Sequence, residues 1–390
     1  MRVALVGPAS PRDVADLLTG ADRTRAADLP GYRGIPTTEL ARGLLCRGAE
    51  VELITVAPEV SESLELSGHR FRMLVAPQRP RARHRALDLF RAERAGLTDL
   101  LKGTSASVIH ALWTYEFAWA ALLEPSRPVL VTAHDAPLTV LRHLRDPYRA
   151  VRAAMAYVVR TRLRHLVAVS PYLAGRWRRE MCYWRDIAVI PNSVPHLESV
   201  GGYRRARNRV VEVADASARK NVCRLLQATR ILKDQGRPIE LELIGPGLGP
   251  NDQLAERALE LGVSDAVSFR GELDRRTTAE ALRGASAFVH ASLEESFGLS
   301  IVEALAAAVP VVAGESAGAV PWLLKHGAAG LLVDVRDPQA IANGIAAVLD
   351  DADLASTLTV GGLRRVADFT SERVADAYLD EYERAVGVRA

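Results

Sequence analysis

The chain has 390 residues, 48% hydrophobic and 25% charged, which suits two ordinary domains with a core each and excludes a disordered or low-complexity protein. The first apolar run is only VALV, ended by Gly7-Pro8, and no stretch of about 20 uncharged apolar residues follows, so neither a secretory leader nor a spanning helix is expected. Net charge is +3 but split: residues 1–190 hold 28 Lys and Arg against 19 Asp and Glu, and residues 191–390 hold 22 against 28.

The basic residues concentrate in RPRARHR (79–85) and in 142–185. A basic face suits an anionic partner such as a lipid headgroup, nucleic acid or a phosphorylated acceptor; a solvated arginine-rich surface is the plainer reading. Cys46, Cys182 and Cys223 are scattered and odd in number, which argues against a disulfide framework or a structural zinc and points to a reduced cytoplasmic setting. Only four of the 50 basic residues are lysine, so each lysine carries information.

Short Val/Ile/Leu segments alternate with amphipathic ones: VALVG (3–7), VELITV (51–56), VIHAL (108–112), VLVTAHD (129–135), HLVAVS (165–170) and IAVIPN (187–192). A Gly-, Pro- and polar-rich stretch at 193–210 breaks the series. A second series follows: VVEVAD (210–215), IELELIGPG (239–247), AVSFRGE (266–272), AFVHAS (287–292), VPVVAG (309–314) and GLLVD (330–334). Continuous apolar strands separated by helices predict parallel sheets covered on both faces. The fold class is therefore α/β, with doubly wound domains at 1–195 and 196–369 and a last helix within 370–390 that aligns Val374, Tyr378, Leu379 and Tyr382 on one face. Ligands in such sheets bind beyond the carboxyl ends of the strands, so the site is expected in the cleft between the two domains.

The segment EESFGLSIVEALAAAVPVVAG (294–314) places two carboxylates, Glu295 and Glu303, in an apolar setting. A helix starting at Gly298 leaves amides free at Gly298, Leu299 and Ser300, donors that favour a phosphate. Carboxylates either side of a phosphate site need separate jobs. Sugar hydroxyls for Glu295 and ribose hydroxyls for Glu303 supply them, and a nucleotide-sugar satisfies all three elements. The plainer alternative is an exposed loop residue and a helix-surface residue, but Ile301, Val302, Leu305 and Ala306 make the helix nearly apolar all round, as in a buried one.

These residues resemble the family-4 retaining glycosyltransferases of the GT-B fold, whose two Rossmann-like domains face across a cleft. The likeness rests on the Glu-to-Glu spacing with Phe297-Gly298 inside it, Ala304, Pro310 and the Gly330 turn, and it runs over nearly the whole chain. VIPNSV (189–194), ARKNVCRLLQA (218–228), IELELIGPG, VSFRGELD (267–274), VIHALW (108–113) and VTAHD all have counterparts in it. The last helix resembles the family's crossover, which returns to the N-terminal domain.

The resemblance implies catalytic roles for Glu295 at the transferred sugar, Lys220 at the diphosphate and His134 beside the donor sugar. It implies donor contacts from Gly34, Arg219, Gly245, Gly247, Leu273, Phe297, Gly298, Leu299, Ser300 and Glu303, and acceptor-side contacts from Arg33 and Trp113. It implies no cofactor and no metal, the nucleotide-sugar being a substrate, with UDP favoured by frequency in the family.

The departures are specific. Asp215 stands where the family has a second diphosphate arginine, and Arg219 is the candidate substitute. Arg33 replaces the first glycine of a pair that keeps Gly34, and an insertion of roughly residues 8–32 precedes it, read as a loop. Trp322 replaces a common glutamate. The reading is a metal-independent retaining transferase acting by front-face displacement on an acceptor that is a small molecule, a glycan or lipid-linked. The basic N-terminal domain is the surface expected for any peripheral contact with the inner membrane face. The alternatives are a nucleotide-sugar 2-epimerase or hydrolase on the same fold, or an inactive nucleotide-binding scaffold. A nucleic-acid binder finds no helix-turn-helix, aromatic sheet motif or zinc spacing to support it.

Overall fold

A computed structural model describes residues 1–124, 126–194 and 206–387. The chain divides into two compact units, Met1–Ser193 with Ser371–Ala390, and Val194–Thr370. Most of the junction expected at 193–210 lies outside the described residues.

The first unit is built on eight strands: β1 (Arg2–Val6), β2 (Glu50–Ala57), β3 (Leu64–Gly68), β4 (Phe71–Pro77), β5 (Val108–Leu112), β6 (Val129–Ala133), β7 (His165–Ala168) and β8 (Ile187–Val189). They run in the order β3-β4-β2-β1-β5-β6-β7-β8, parallel except for the β3–β4 pair. The central strands are buried on both faces, which is why they read as unbroken apolar runs. Strand order reverses between β1 and β5, so the chain leaves these two strands in opposite directions and opens a crevice at their carboxyl ends.

Two sequence expectations need correction here. The strands β3 and β4 were missing from the predicted series. The first alternates buried and exposed residues over only five positions, too short a run to stand out, and the pair turns back after Gly68 through His69 and Arg70, the latter at φ +55°. The insertion at 8–32 is not a plain loop. It folds into a 3-10 turn at Arg12–Leu17 and a helix at Gly20–Ala27, buries Val14 and Ala26, and bridges Leu18 to Gly68. Arg42 fastens it through Asp16 (2.6 and 2.7 Å) and the Asp13 carbonyl (2.7 Å).

The last helix, Ser371–Gly387, belongs to this unit and lies on the helix Ile35–Cys46. A Cβ on Gly43 would sit 2.6 Å from the Ser371 carbonyl oxygen, so the contact needs glycine there. Its buried face carries Val374, Ala375, Tyr378, Tyr382 and Ala385. Tyr382 meets His110 Nδ1 at 2.7 Å, His110 Nε2 meets Thr132 Oγ1 at 2.7 Å, and Thr132 meets the Tyr378 hydroxyl at 3.0 Å.

The second unit has six parallel strands: β9 (Arg209–Val213), β10 (Glu240–Ile244), β11 (Val267–Gly271), β12 (Ala287–His290), β13 (Val311–Gly314) and β14 (Leu331–Val333). Their order is β11-β10-β9-β12-β13-β14, which places the reversal between β9 and β12. Both units are thus doubly wound α/β domains.

Candidate functional site

The reversal in the second sheet sets the stage. After β9 the chain makes a 3-10 turn, Ala218–Lys220, and enters the helix Val222–Asp234 through Asn221 in the left-handed region at φ +59°. The Asn221 amide pins this turn to the Ala291 and Val335 carbonyls at 3.1 and 2.8 Å. After β12 the chain runs through Glu294 and Glu295 to Gly298, whose φ of +98° starts the helix Leu299–Ala306. A side chain at such a φ is strained, so glycine is what lets the loop turn into the helix here.

The two loops meet. Lys220 Nζ bonds Glu295 Oε1, and Arg219 lies 3.8 Å from Glu295 Oε2 and 3.5 Å from Glu294. Arg219 also donates to the Glu294 carbonyl at 2.9 Å. Glu295 is 8% exposed, and its own carbonyl accepts from Ala319 N at 2.9 Å. Burial pushes its carboxyl up, but Lys220, His290 and Arg219 together outweigh this and hold it well below the usual carboxylate range. The result is an anion held between two cations, Lys220 and Arg219, and an imidazole, in the loop that leads into a helix whose first amides have no partner within it.

Glu303 lies half-buried on that helix. Leu299 and Ser300, also half-buried, form its first turn. Gly245 and Gly247 follow β10 and abut the turn after β9, where Ala216 N donates to the Pro246 carbonyl at 3.0 Å. Leu273 is half-buried in the loop after β11. The phenyl ring of Phe297 is 3% exposed and packs against Phe369 and Trp322 at 5.5 and 6.4 Å, with Arg365 over the latter two rings. Phe297 and Trp322 therefore support the loop from below. Asp215 accepts from Ser217 N at 2.8 Å, so it closes a turn, and Arg219 is turned toward Glu294 and Glu295.

Sequence reasoning missed two buried groups here. His290 ends β12 and reaches Glu295 Oε1 with Nε2 at 3.1 Å. Glu212, in β9, accepts from Ala291 N at 3.2 Å, and burial pushes its carboxyl up to about 8. A carboxyl inside a strand buried on both faces was the available signal.

The remaining candidates belong to the first unit. Gly34 starts the helix Ile35–Cys46, and a Cβ there would fall 1.8 Å from the Pro8 carbonyl oxygen, so only glycine lets the chain pass beside the end of β1. Arg33 next to it is exposed. Trp113 follows β5 at φ +77°, edge-on to Tyr32 at 5.7 Å. Behind it Arg152 stacks on Trp113, Tyr115 and Tyr148 and lies 3.5 Å from Glu116. His134 follows β6; burial lowers it to about 4, so it is neutral near pH 7. The loop residues Gly34, Trp113 and His134 thus cluster at the carboxyl ends of this sheet, as Lys220 and Glu295 do in the other. Among the described residues, no group of three His, Cys, Asp or Glu is placed to hold a metal ion, and no helix is long and apolar enough to cross a membrane.

Two doubly wound sheets with loops of this kind define the class, a GT-B chain, and the comparisons agree. Residues 37–196 match the family described as Glycosyltransferase Family 4, and residues 200–362 match Glycosyl transferases group 1. Sucrose-phosphate synthase of Thermosynechococcus elongatus superposes over 100% of both chains with a TM-score of 0.76 at 21% identity. HepE of Anabaena, solved with UDP and glucose, covers 98% of this chain and 100% of its own with a TM-score of 0.68 at 17% identity. The D-inositol 3-phosphate glycosyltransferase of Mycolicibacterium smegmatis is 30% identical over 282 residues, 70% of this chain and 64% of that protein. The chain spans less than two thirds of the length of the curated relatives it matches, 33% for the first of them. The chain belongs to the family-4, group 1 glycosyltransferases.

Proposed function

We propose that the protein moves a sugar from a nucleoside-diphosphate sugar, a UDP-sugar in the first instance, to an acceptor hydroxyl with retention at the anomeric carbon. The observation that carries this reading is the convergence of Lys220, Glu295 and the N-terminus of the helix Leu299–Ala306 where the second sheet reverses. A diphosphate suits the cations and the helix amides. Glu303 is assigned the ribose hydroxyls and Glu295 those of the transferred sugar. His134 is assigned a place beside the transferred sugar, and Arg33 and Trp113 are assigned the acceptor.

The step is front-face displacement. The acceptor oxygen bonds to the anomeric carbon on the face from which the diphosphate leaves, the bond from that carbon to the phosphate oxygen breaks, and the acceptor proton passes to the leaving oxygen. Lys220 stabilises the charge developing there in place of a metal. The solved complex of the Anabaena neighbour with UDP and glucose supports the donor class. The activity named for the M. smegmatis relative makes inositol phosphates the first acceptors to try.

Product analysis by NMR tests this. With a UDP-sugar and an acceptor, the product should keep the donor's anomeric configuration, and donor alone should yield little free sugar. Rapid release of free or epimerised sugar from donor alone would replace the transferase reading with that of a hydrolase or epimerase.

A further inference from the structure

Glu295 Oε1 has two partners of different kinds. Lys220 reaches it from a turn, on a long flexible side chain. His290 reaches it from the end of β12, with Nε2 at 3.1 Å. The imidazole is 0% exposed, stacks on Phe288 at 6.2 Å, and stands on a strand held by β9 on one side and β13 on the other. Its Nδ1 has no hydrogen-bond partner among the described residues. A neutral ring in this place carries its proton on Nε2 and gives it to the carboxylate. Burial favours that neutral form, against the pull of Glu295.

Resting on the reading above, we infer that His290 is a positioning residue: it holds the Glu295 carboxylate in its working orientation when Lys220 leaves that carboxylate for the donor diphosphate. The two partners divide the work. Lys220 stands on a turn and, on the reading above, swings to the diphosphate; His290 is fixed to the sheet and stays. Without His290, Glu295 loses its remaining buried donor on Oε1 at the moment the sugar arrives, and Arg219 near Oε2 draws it away from that orientation. The nucleotide half of the donor is assigned to Lys220 and Glu303 and not to the His290–Glu295 pair, so nucleotide affinity is spared.

The test uses the full-length protein with UDP for binding and a UDP-sugar for turnover. In His290→Leu, UDP affinity should stay within about threefold of wild type while kcat falls about 10- to 100-fold, the scale expected when a reacting group is misplaced by about 1 Å. Gln carries an amide N–H near the Nε2 position, so His290→Gln should recover most of kcat. In a Glu295→Gln background, His290→Leu should cost nothing further, because the two act as one unit.

Wild-type kcat in His290→Leu, or a full extra loss in the Glu295→Gln background, overturns the positioning role and leaves the proposed function standing. Wild-type turnover in Glu295→Gln, or no nucleotide binding by folded wild type, overturns the proposed function itself. Should His290→Leu fail to fold, the imidazole nitrogen spectrum of the wild type decides: the Nε2–H tautomer supports the assignment, and an Nδ1–H tautomer overturns it.

Discussion

Glu295 and Glu212 are both buried carboxyls within one site, and their surroundings push them opposite ways. Lys220, His290 and Arg219 keep Glu295 ionised, whereas burial keeps Glu212 protonated up to about pH 8. Folded Glu212 thus holds its proton where the unfolded chain loses it, near the ordinary value of 4.5. The stability it contributes is full below pH 4.5 and is lost as pH rises from there to about 8. Glu212→Gln removes a cost on the order of a few kcal/mol at pH 7.5. Its unfolding temperature should exceed that of wild type at pH 7.5 and match it at pH 4.5; a loss of stability at both values would show that the carboxyl is needed in ionised form. The spacing of Glu295 and Glu303 was legible because both flank a glycine that starts a helix. His290 was not, since its partner lies across a loop and AFVHAS reads as a strand whatever its histidine touches.

The last helix shows how an element becomes part of a sheet far from it in sequence. Its apolar face was legible from Val374, Tyr378 and Tyr382, but the polar contacts to His110 and Thr132 were not, because they join β5 and β6 to residues some 250 to 270 positions away. Burial lowers His110 to about 3, so it is neutral at ordinary pH and needs Tyr382 as a partner. Tyr382→Phe leaves His110 Nδ1 buried without that bond and should cost about 1–3 kcal/mol in denaturant unfolding. An unchanged midpoint would mean that the helix is held by its apolar face alone. β3 and β4 went unread for a different reason. The first is an edge strand of alternating exposure over only five positions, too short a run to stand out in a parallel series.

Over the whole chain, the alternation of apolar strands and helices was enough to read two doubly wound domains. The strand order, which could not be read, gathers the candidate residues within each unit: each reversal opens a crevice, and the loops with Gly34 and Trp113 leave one while those with Lys220 and Glu295 leave the other. The surplus of basic residues falls in 1–190 and the acidic surplus in 191–390, so Arg219 and Lys220 stand out against an acidic half. The proposed function requires those cations to receive a nucleoside diphosphate. Calorimetric titration of the purified protein with UDP, GDP, ADP and dTDP, without metal, tests this most directly. One nucleotide should bind, UDP on this account, and both Lys220→Ala and Glu303→Ala should weaken it about tenfold or more, as loss of a charged hydrogen bond does. Failure of the folded protein to bind any of the four would contradict the transferase reading and leave an inactive scaffold in its place.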